Sequence, residues 1–217
     1  AVGLASYDNT FALDGSIVAP RIRIRDRADI VCTGGSTMPF TDVNSGAWYY
    51  DSVKYTWDNG LMIGTSDTTF EPDANMDRAM IALVLYRIAG QPSVKGMSNP
   101  FTDVDKDHYA ADAITWAYNA KVTNGTSETT FEPDLSIARE EIVTMFYRYA
   151  SSPACSGTVA FTDAKDISAW ANDAVLWAVQ SKIVNGYPDG TFLPKAAANR
   201  AEVAKIIAIY HAMISGK

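Results

Sequence analysis

Cysteine, histidine and long apolar runs are all scarce in this chain of 217 residues. The two cysteines, Cys32 and Cys155, have no Cys or His neighbour within a few residues, which excludes the close-set ligand spacings of zinc sites. They read as two free thiols or as one disulfide, and the sequence leaves both open. The two histidines, His108 and His211, occupy unrelated positions with no nucleophile motif beside them. No segment approaches the roughly 20 apolar residues that a membrane-spanning helix needs. Positive charge is short as well: 18 Lys and Arg face 25 Asp and Glu, for a net charge of -7. That excludes non-specific nucleic-acid binding through a global positive field, and an anionic ligand must be held by local arginines. No signal peptide stands at the start, and the chain begins at Ala1, which reads as a mature or excised fragment.

What is present is an ordinary globular composition, 47% hydrophobic and 20% charged, that can bury a real core. Its dominant feature is an internal repeat. Phe40-Thr41-Asp42-Val43 recurs as Phe101-Thr102-Asp103-Val104 and Phe161-Thr162-Asp163-Ala164. Gly64-Thr65-Ser66 recurs as Gly125-Thr126-Ser127, with Gly186-Tyr187-Pro188 third. Thr69-Phe70-Glu71-Pro72-Asp73 recurs as Thr130-Phe131-Glu132-Pro133-Asp134, then as Thr191-Phe192-Leu193-Pro194-Lys195. Arg78, Arg139 and Arg200 close the series at a spacing of 61. The third opening Phe comes one residue early, so a loop residue was gained after it. The repeats divide the chain at 38–98, 99–158 and 159–217, with residues 1–37 as an N-terminal extension or the end of an upstream region.

Each copy reads as helix, loop, helix. First helices are expected near Trp48–Asn59, Tyr109–Ala120 and Trp170–Ser181, where Trp170, Ala174, Trp177 and Ala178 show helical spacing. The loops are rich in turn formers, and Pro188-Asp189-Gly190 marks a turn that the first two copies must make differently. Second helices start after N-caps at Asp77, Ala138 and Asn199, with a capping box between Asn199 and Glu202. Their apolar stripes (Ile81, Val84, Leu85, Ile88; Ile142, Met145, Phe146, Tyr149; Val203, Ile206, Ile207, Tyr210) are too wide for one helix pair to bury. Three copies must close into a ring, with a groove between each pair of neighbours, or stack in a line. In the extension, Ile17–Arg25 ends in alternating apolar and basic residues and reads as a strand, its arginines a polymer contact or a solvated face.

These motifs resemble S-layer-homology domains over about residues 38–217. The third copy matches best, through Gly186-Tyr187-Pro188-Asp189-Gly190-Thr191-Phe192-Leu193-Pro194 and Asn199-Arg200-Ala201-Glu202. The resemblance implies a mostly α fold, three helix-loop-helix repeats in a pseudo-threefold trimeric spindle. It implies an extracellular module of the cell wall or surface layer, monomeric as a chain, that binds a secondary cell-wall polysaccharide of the pyruvylated N-acetylmannosamine type. It implies no cofactor, no metal, no nucleic acid and no catalysis. It points to Arg78, Arg139 and Arg200 as ligand residues. Copy one reads Asp-Arg-Ala-Met and copy two Ala-Arg-Glu-Glu at the helix start, so the grooves using Arg200 or Arg139 are favoured over the one using Arg78.

The chemistry of such a site follows from the residues. An arginine in the first turn sits where helix N–H groups and the dipole favour anions, and its guanidinium fits a carboxylate bidentately. The alternative is that it pairs with the repeated Asp42, Asp103 or Asp163 to pin one copy to the next. Trp48, Tyr109 and Trp170 are platforms for a sugar ring or core aromatics, whereas Trp57, Trp116 and Trp177 read as core or interface. Gly64, Gly125 and Gly186 let a ligand approach the backbone or simply end a helix. Asp103-x-Asp105-x-Asp107 starts like a calcium loop but has His108 and Ile114 where Gly and Glu belong, so an EF-hand is rejected. No carboxylate pair stands out as a glycosidase would require. A protein–protein assembly module in a surface layer or surface enzyme complex is the competing function.

Overall fold

The computed structural model describes residues 37–216, together with the backbone of four short strands before them. The chain forms two compact units, Ala1–Met38 and Pro39–Lys217. In the first, β1 (Ala5–Tyr7) pairs antiparallel with β2 (Thr10–Ala12), and β3 (Ile22–Arg23) with β4 (Asp29–Ile30). The expected strand is therefore present at Ile22–Arg23, and its remaining residues lie outside the described ones, as does Cys32. Cys155 is a free thiol.

The second unit is helical. Its first helices are α1 (Tyr50–Asp58), α3 (Ala111–Asn119) and α5 (Asn172–Gln180), and its second helices α2 (Arg78–Ile88), α4 (Arg139–Tyr149) and α6 (Arg200–Ile214). The extra residue of the third copy is absorbed by two 3₁₀ turns, Ala164–Asp166 and Ala169–Ala171. Trp170 lies in the second of these and not in α5, so only Ala174, Trp177 and Ala178 of its expected stripe are buried. All three expected N-caps form. Asp77 accepts from Met80 N–H at 2.6 Å, and Asn199 and Glu202 complete a reciprocal box. Ala138 offers only a methyl, yet Glu141 still accepts its N–H at 2.9 Å.

Helices pair across repeat boundaries: α2 with α3, α4 with α5, and α6 with α1. Each repeat therefore buries its second helix against the next repeat's first, and the last pairing closes the ring. The segments before the second helices hold the centre. Met76 N–H donates to Ala198 O, Ala198 N–H to Ile137 O, and Ile137 N–H to Met76 O, all within 3.0–3.3 Å. This closed triangle of backbone bonds fixes the pseudo-threefold arrangement. Around it pack equivalent buried side chains, Ile81 with Ile142 and Val203, and Leu85 with Phe146 and Ile207, all fully buried. At roughly 1.5–3 kcal/mol per fully buried side chain, these layers dominate the unit's cohesion.

The loops turn as their sequences dictate. In copy three Gly190 adopts φ 82° and its N–H closes a turn on Tyr187 O. In copies one and two the Ser66 and Ser127 hydroxyls accept two backbone N–H groups each and do the same work.

Three grooves between repeats

Each junction is built by one residue gripped at both ends. The carboxylate of Asp103 accepts the N–H of Phe131 at 2.9 Å, and the carbonyl of Phe131 accepts Arg78 Nε at 2.8 Å. Asp163, Phe192 and Arg139 repeat the device, as do Asp42, Phe70 and Arg200. Each guanidinium also lies over the ring of that phenylalanine, at 4.4–5.2 Å. The aspartate belongs to the same repeat as the phenylalanine and the arginine to the preceding one. Arginine and aspartate thus pin neighbouring copies together through a shared residue, without touching each other.

The three arginines are only 3–7% exposed, which places them in the walls of the ring. Their helix starts offer little to an anion. Arg78 and Ala79 N–H bond to Leu135 O and Pro133 O, and the other two helices match, to Ala196 O and Pro194 O and to Ala74 O and Pro72 O. The expected free N–H groups of the first turn are therefore spent on the neighbouring repeat.

Gly64, Gly125 and Gly186 neither end a helix nor face open solvent. A Cβ on any of them would come within 2.4–2.5 Å of the opening ring, Phe40, Phe101 or Phe161. The first helices end four residues earlier, at Gly60, Lys121 and Lys182, all at positive φ.

Trp48, Tyr109 and Trp170 are 60, 57 and 56% exposed, so none is a core aromatic. Each stands at a junction of the other two repeats. Trp170 lines a cleft of about 430 Å³ with Arg78, Asn124, Gly125, Glu141 and Arg148. Trp48 lines one of about 480 Å³ with Arg139, Gly186, Tyr187, Glu202 and Lys205. Tyr109 reaches the third junction, where its hydroxyl donates to Asp77 at 3.2 Å. Of the other tryptophans, Trp57 packs edge-on to Phe40 at 5.1 Å, and Trp116 and Trp177 are buried.

The grooves are alike in plan and different in charge. Arg78 pairs with Glu141 at 2.6 Å. Arg139 is looser on Glu202, at 3.4 Å, because the Tyr187 hydroxyl takes the same oxygen. Burial and that bond push the Tyr187 phenol up to about 12. Arg200 meets Met80 where the others meet glutamate, and bonds instead to Ile63 O at 2.7 Å. Desolvation by burial lowers its pKa from the usual arginine value. The third copy's motif is therefore divided between two grooves: its Gly-Tyr-Pro loop and Glu202 serve Arg139, while Arg200 serves the loop of copy one. A complete motif in sequence is not a complete site in space. No sequence period announces this, because the division follows from which helix starts abut which loops.

One contact breaks the symmetry outright. The carboxylate of Glu140, almost wholly buried, accepts from Ser168 N–H and from Lys195 Nζ. The equivalent positions hold Ala79 with Asp134, and Ala201 with Asp73.

A closed ring of three like repeats, with a groove at each junction, defines a pseudo-trimeric repeat module. The S-layer homology domain matches it three times, at residues 39–80, 100–143 and 160–204, and the chain belongs to that family. Three tandem copies mark it as a surface-anchoring module of the cell envelope's outside. It is similar to an endoglucanase of Bacillus sp. (strain KSM-635), 29% identical over 79% of this chain and 18% of that protein. It is 33% identical to a cellulosome-anchoring protein of Acetivibrio thermocellus over 64% of this chain and 32% of that protein. It is 26% identical to the S-layer protein EA1 of Bacillus anthracis over 92% of this chain and 22% of that protein. The chain thus corresponds to a third or less of each of these relatives' length.

Proposed function

We propose that the chain anchors a protein non-covalently to the bacterial cell wall by holding an anionic secondary cell-wall polysaccharide, of the pyruvylated N-acetylmannosamine type, in its inter-repeat grooves. One observation carries the reading: three large aromatic rings, more than half exposed, each stand at a junction that holds a buried arginine. An exposed indole costs hydrophobic free energy in water and offers a flat face for the C–H side of a sugar. The relatives' names agree, since a cellulosome-anchoring protein, an S-layer protein and an endoglucanase each match this chain over only part of their own length. The module itself is non-catalytic, for its repeated aspartates hold loop backbone.

The test is co-sedimentation of the chain with purified wall sacculi, before and after chemical removal of the secondary polymer. Binding is expected to disappear with the polymer. Undiminished binding to stripped wall would refute the polysaccharide reading and favour a peptide or protein partner. Release of new reducing ends from the wall would refute the non-catalytic one.

A further inference from the structure

We infer that Met80 is an oxidation site, and that its sulfoxide tightens the junction where the third repeat meets the first. In α4 and α6 the third residue is a glutamate whose carboxylate serves two donors. Glu141 accepts the Ala138 N–H at 2.9 Å and pairs with Arg78 Nη1 at 2.6 Å. Glu202 accepts the Asn199 N–H at 3.1 Å and lies 3.4 Å from Arg139 Nη1. In α2 that place holds Met80, and a thioether is only a weak acceptor. Arg200 Nη1 therefore lies 3.9 Å from the sulfur of Met80 and 3.9 Å from that of Met76. Its sister nitrogens are held by carbonyls, Nε by Phe70 O at 2.6 Å and Nη2 by Ile63 O at 2.7 Å. A buried guanidinium thus turns one nitrogen toward two sulfurs, at the place where its equivalents meet an oxygen.

The sulfur of Met80 can acquire that oxygen. Met80 is partly exposed, whereas Met62, Met76 and Met145 are at most 4% exposed. Hydrogen peroxide transfers one oxygen atom: the sulfur lone pair forms the S–O bond as the peroxide O–O bond breaks, the sulfur is oxidised, and the peroxide is reduced to water. Three rotatable bonds let the side chain swing the new S–O bond toward Arg200. The 3.9 Å between sulfur and nitrogen leaves room for that oxygen at hydrogen-bond distance. A charge-assisted bond then replaces a weak sulfur contact. Oxidation of a core methionine disrupts packing. Here the buried Met76 keeps its thioether, and Met80 gains the acceptor that Glu141 and Glu202 already provide. The junction concerned is the one whose repeats are not consecutive in the chain, so its strength bears on closure of the ring.

Met38, Met97 and Met213 are also accessible, so the experiment uses the full chain carrying Met38→Leu, Met97→Leu and Met213→Leu. The folded protein is treated with hydrogen peroxide, the oxygen taken up is located by peptide mass mapping, and Tm is measured before and after. A single added oxygen, on Met80, is expected while Met62, Met76 and Met145 stay reduced. Tm is expected to rise by about 2–4 °C and to return on treatment with methionine sulfoxide reductase. Met80→Gln, which carries an amide oxygen, is expected to show the rise without peroxide, and Met80→Leu to show neither uptake nor rise. A Tm that falls or stays level once Met80 is oxidised overturns the inference. So does a Met80 that resists peroxide as long as Met62 does.

Discussion

At the scale of single residues, the phenylalanines Phe70, Phe131 and Phe192 each link two neighbouring repeats. Each has its N–H on an aspartate of its own repeat and its carbonyl on an arginine of another. The residue that follows, Glu71, Glu132 or Leu193, sits at φ 54–55°, a left-handed conformation that costs roughly 1–2 kcal/mol outside glycine. The aspartate accepts that residue's N–H too, at 2.7–2.8 Å, which offsets the strain. Asp77 behaves differently. Burial raises its pKa above the usual 3.8, against the pull of its bonds to Met80 N–H and Tyr109. A raised carboxyl contributes its stability below the unfolded pKa and loses it as pH climbs through the folded one. Asp77→Asn keeps the cap and removes the half-buried charge, as Asn199 already does in copy three. Its Tm is therefore expected to match the parent below pH 3.8 and to exceed it at pH 7, the gap opening as pH rises between them. Thermal melts across that range check this, and a lower Tm for the variant at pH 7 refutes it.

At the scale of elements, the starts of the second helices were legible and so were the stops of the first, expected at Asn59, Ala120 and Ser181 where the C-caps fall, whereas the first helices begin two residues later than expected. Asp77 and Asn199 announce their caps through side-chain oxygens that reach the first turn. The stops rest on backbone geometry alone. Leu61 N–H returns to Thr56 O and Gly60 N–H to Trp57 O, the paired bonds of a left-handed helix end, and Val122 and Ile183 repeat them with Lys121 and Lys182 at the left-handed position. A lysine carries no visible signal of the left-handed position, and the glycines four residues on were read as admitting a ligand or ending a helix. Those glycines instead make room for a ring. The same comparison yields a prediction, since copy one already uses glycine at this place. Lys121→Gly and Lys182→Gly each relieve a left-handed side chain at φ 62° and 58°. Part of the gain is returned as unfolded-chain entropy. Each is expected to add up to ~1 kcal/mol and ~2–4 °C of Tm, additively because the two sites lie in separate repeats. Differential scanning calorimetry of the two single variants and the double checks both parts.

At the scale of the whole repeat unit, stripes as wide as Ile81–Ile88 recurring at a period of 61 made it readable that helical copies cover one another, but left a ring and a line both open, and the threefold plan came from the family resemblance. The composition of each groove was not readable. A groove draws its arginine from one repeat, its loop from the next and its aromatic from the third, and only the ring's hand of closure says which. The closure has a consequence for the chain path. The α6–α1 junction is made by the same backbone bonds as the two covalently linked ones, Arg200 N–H to Ala74 O matching Arg78 N–H to Leu135 O. Twelve residues join Ile88 to Phe101 and eleven join Tyr149 to Phe161, so a joiner of about eleven residues has the length to carry α6 back to Phe40. The exposed stretch near Gly96, where an added Cβ would meet nothing within 4 Å, is the place to open the chain. A circular permutant of residues 38–216, joined that way and opened at Gly96, keeps every inter-repeat bond and the Glu140–Lys195 contact. It is expected to melt cooperatively within a few degrees of the unpermuted unit and to retain wall binding. A chain cut after residue 158 loses the partner of α1, the Ala198 corner of the central triangle and Arg200, and is expected to show no cooperative melt by near-ultraviolet circular dichroism. A cooperative two-repeat fragment would mean that the junctions are stable one at a time, and that the ring is not the folding unit.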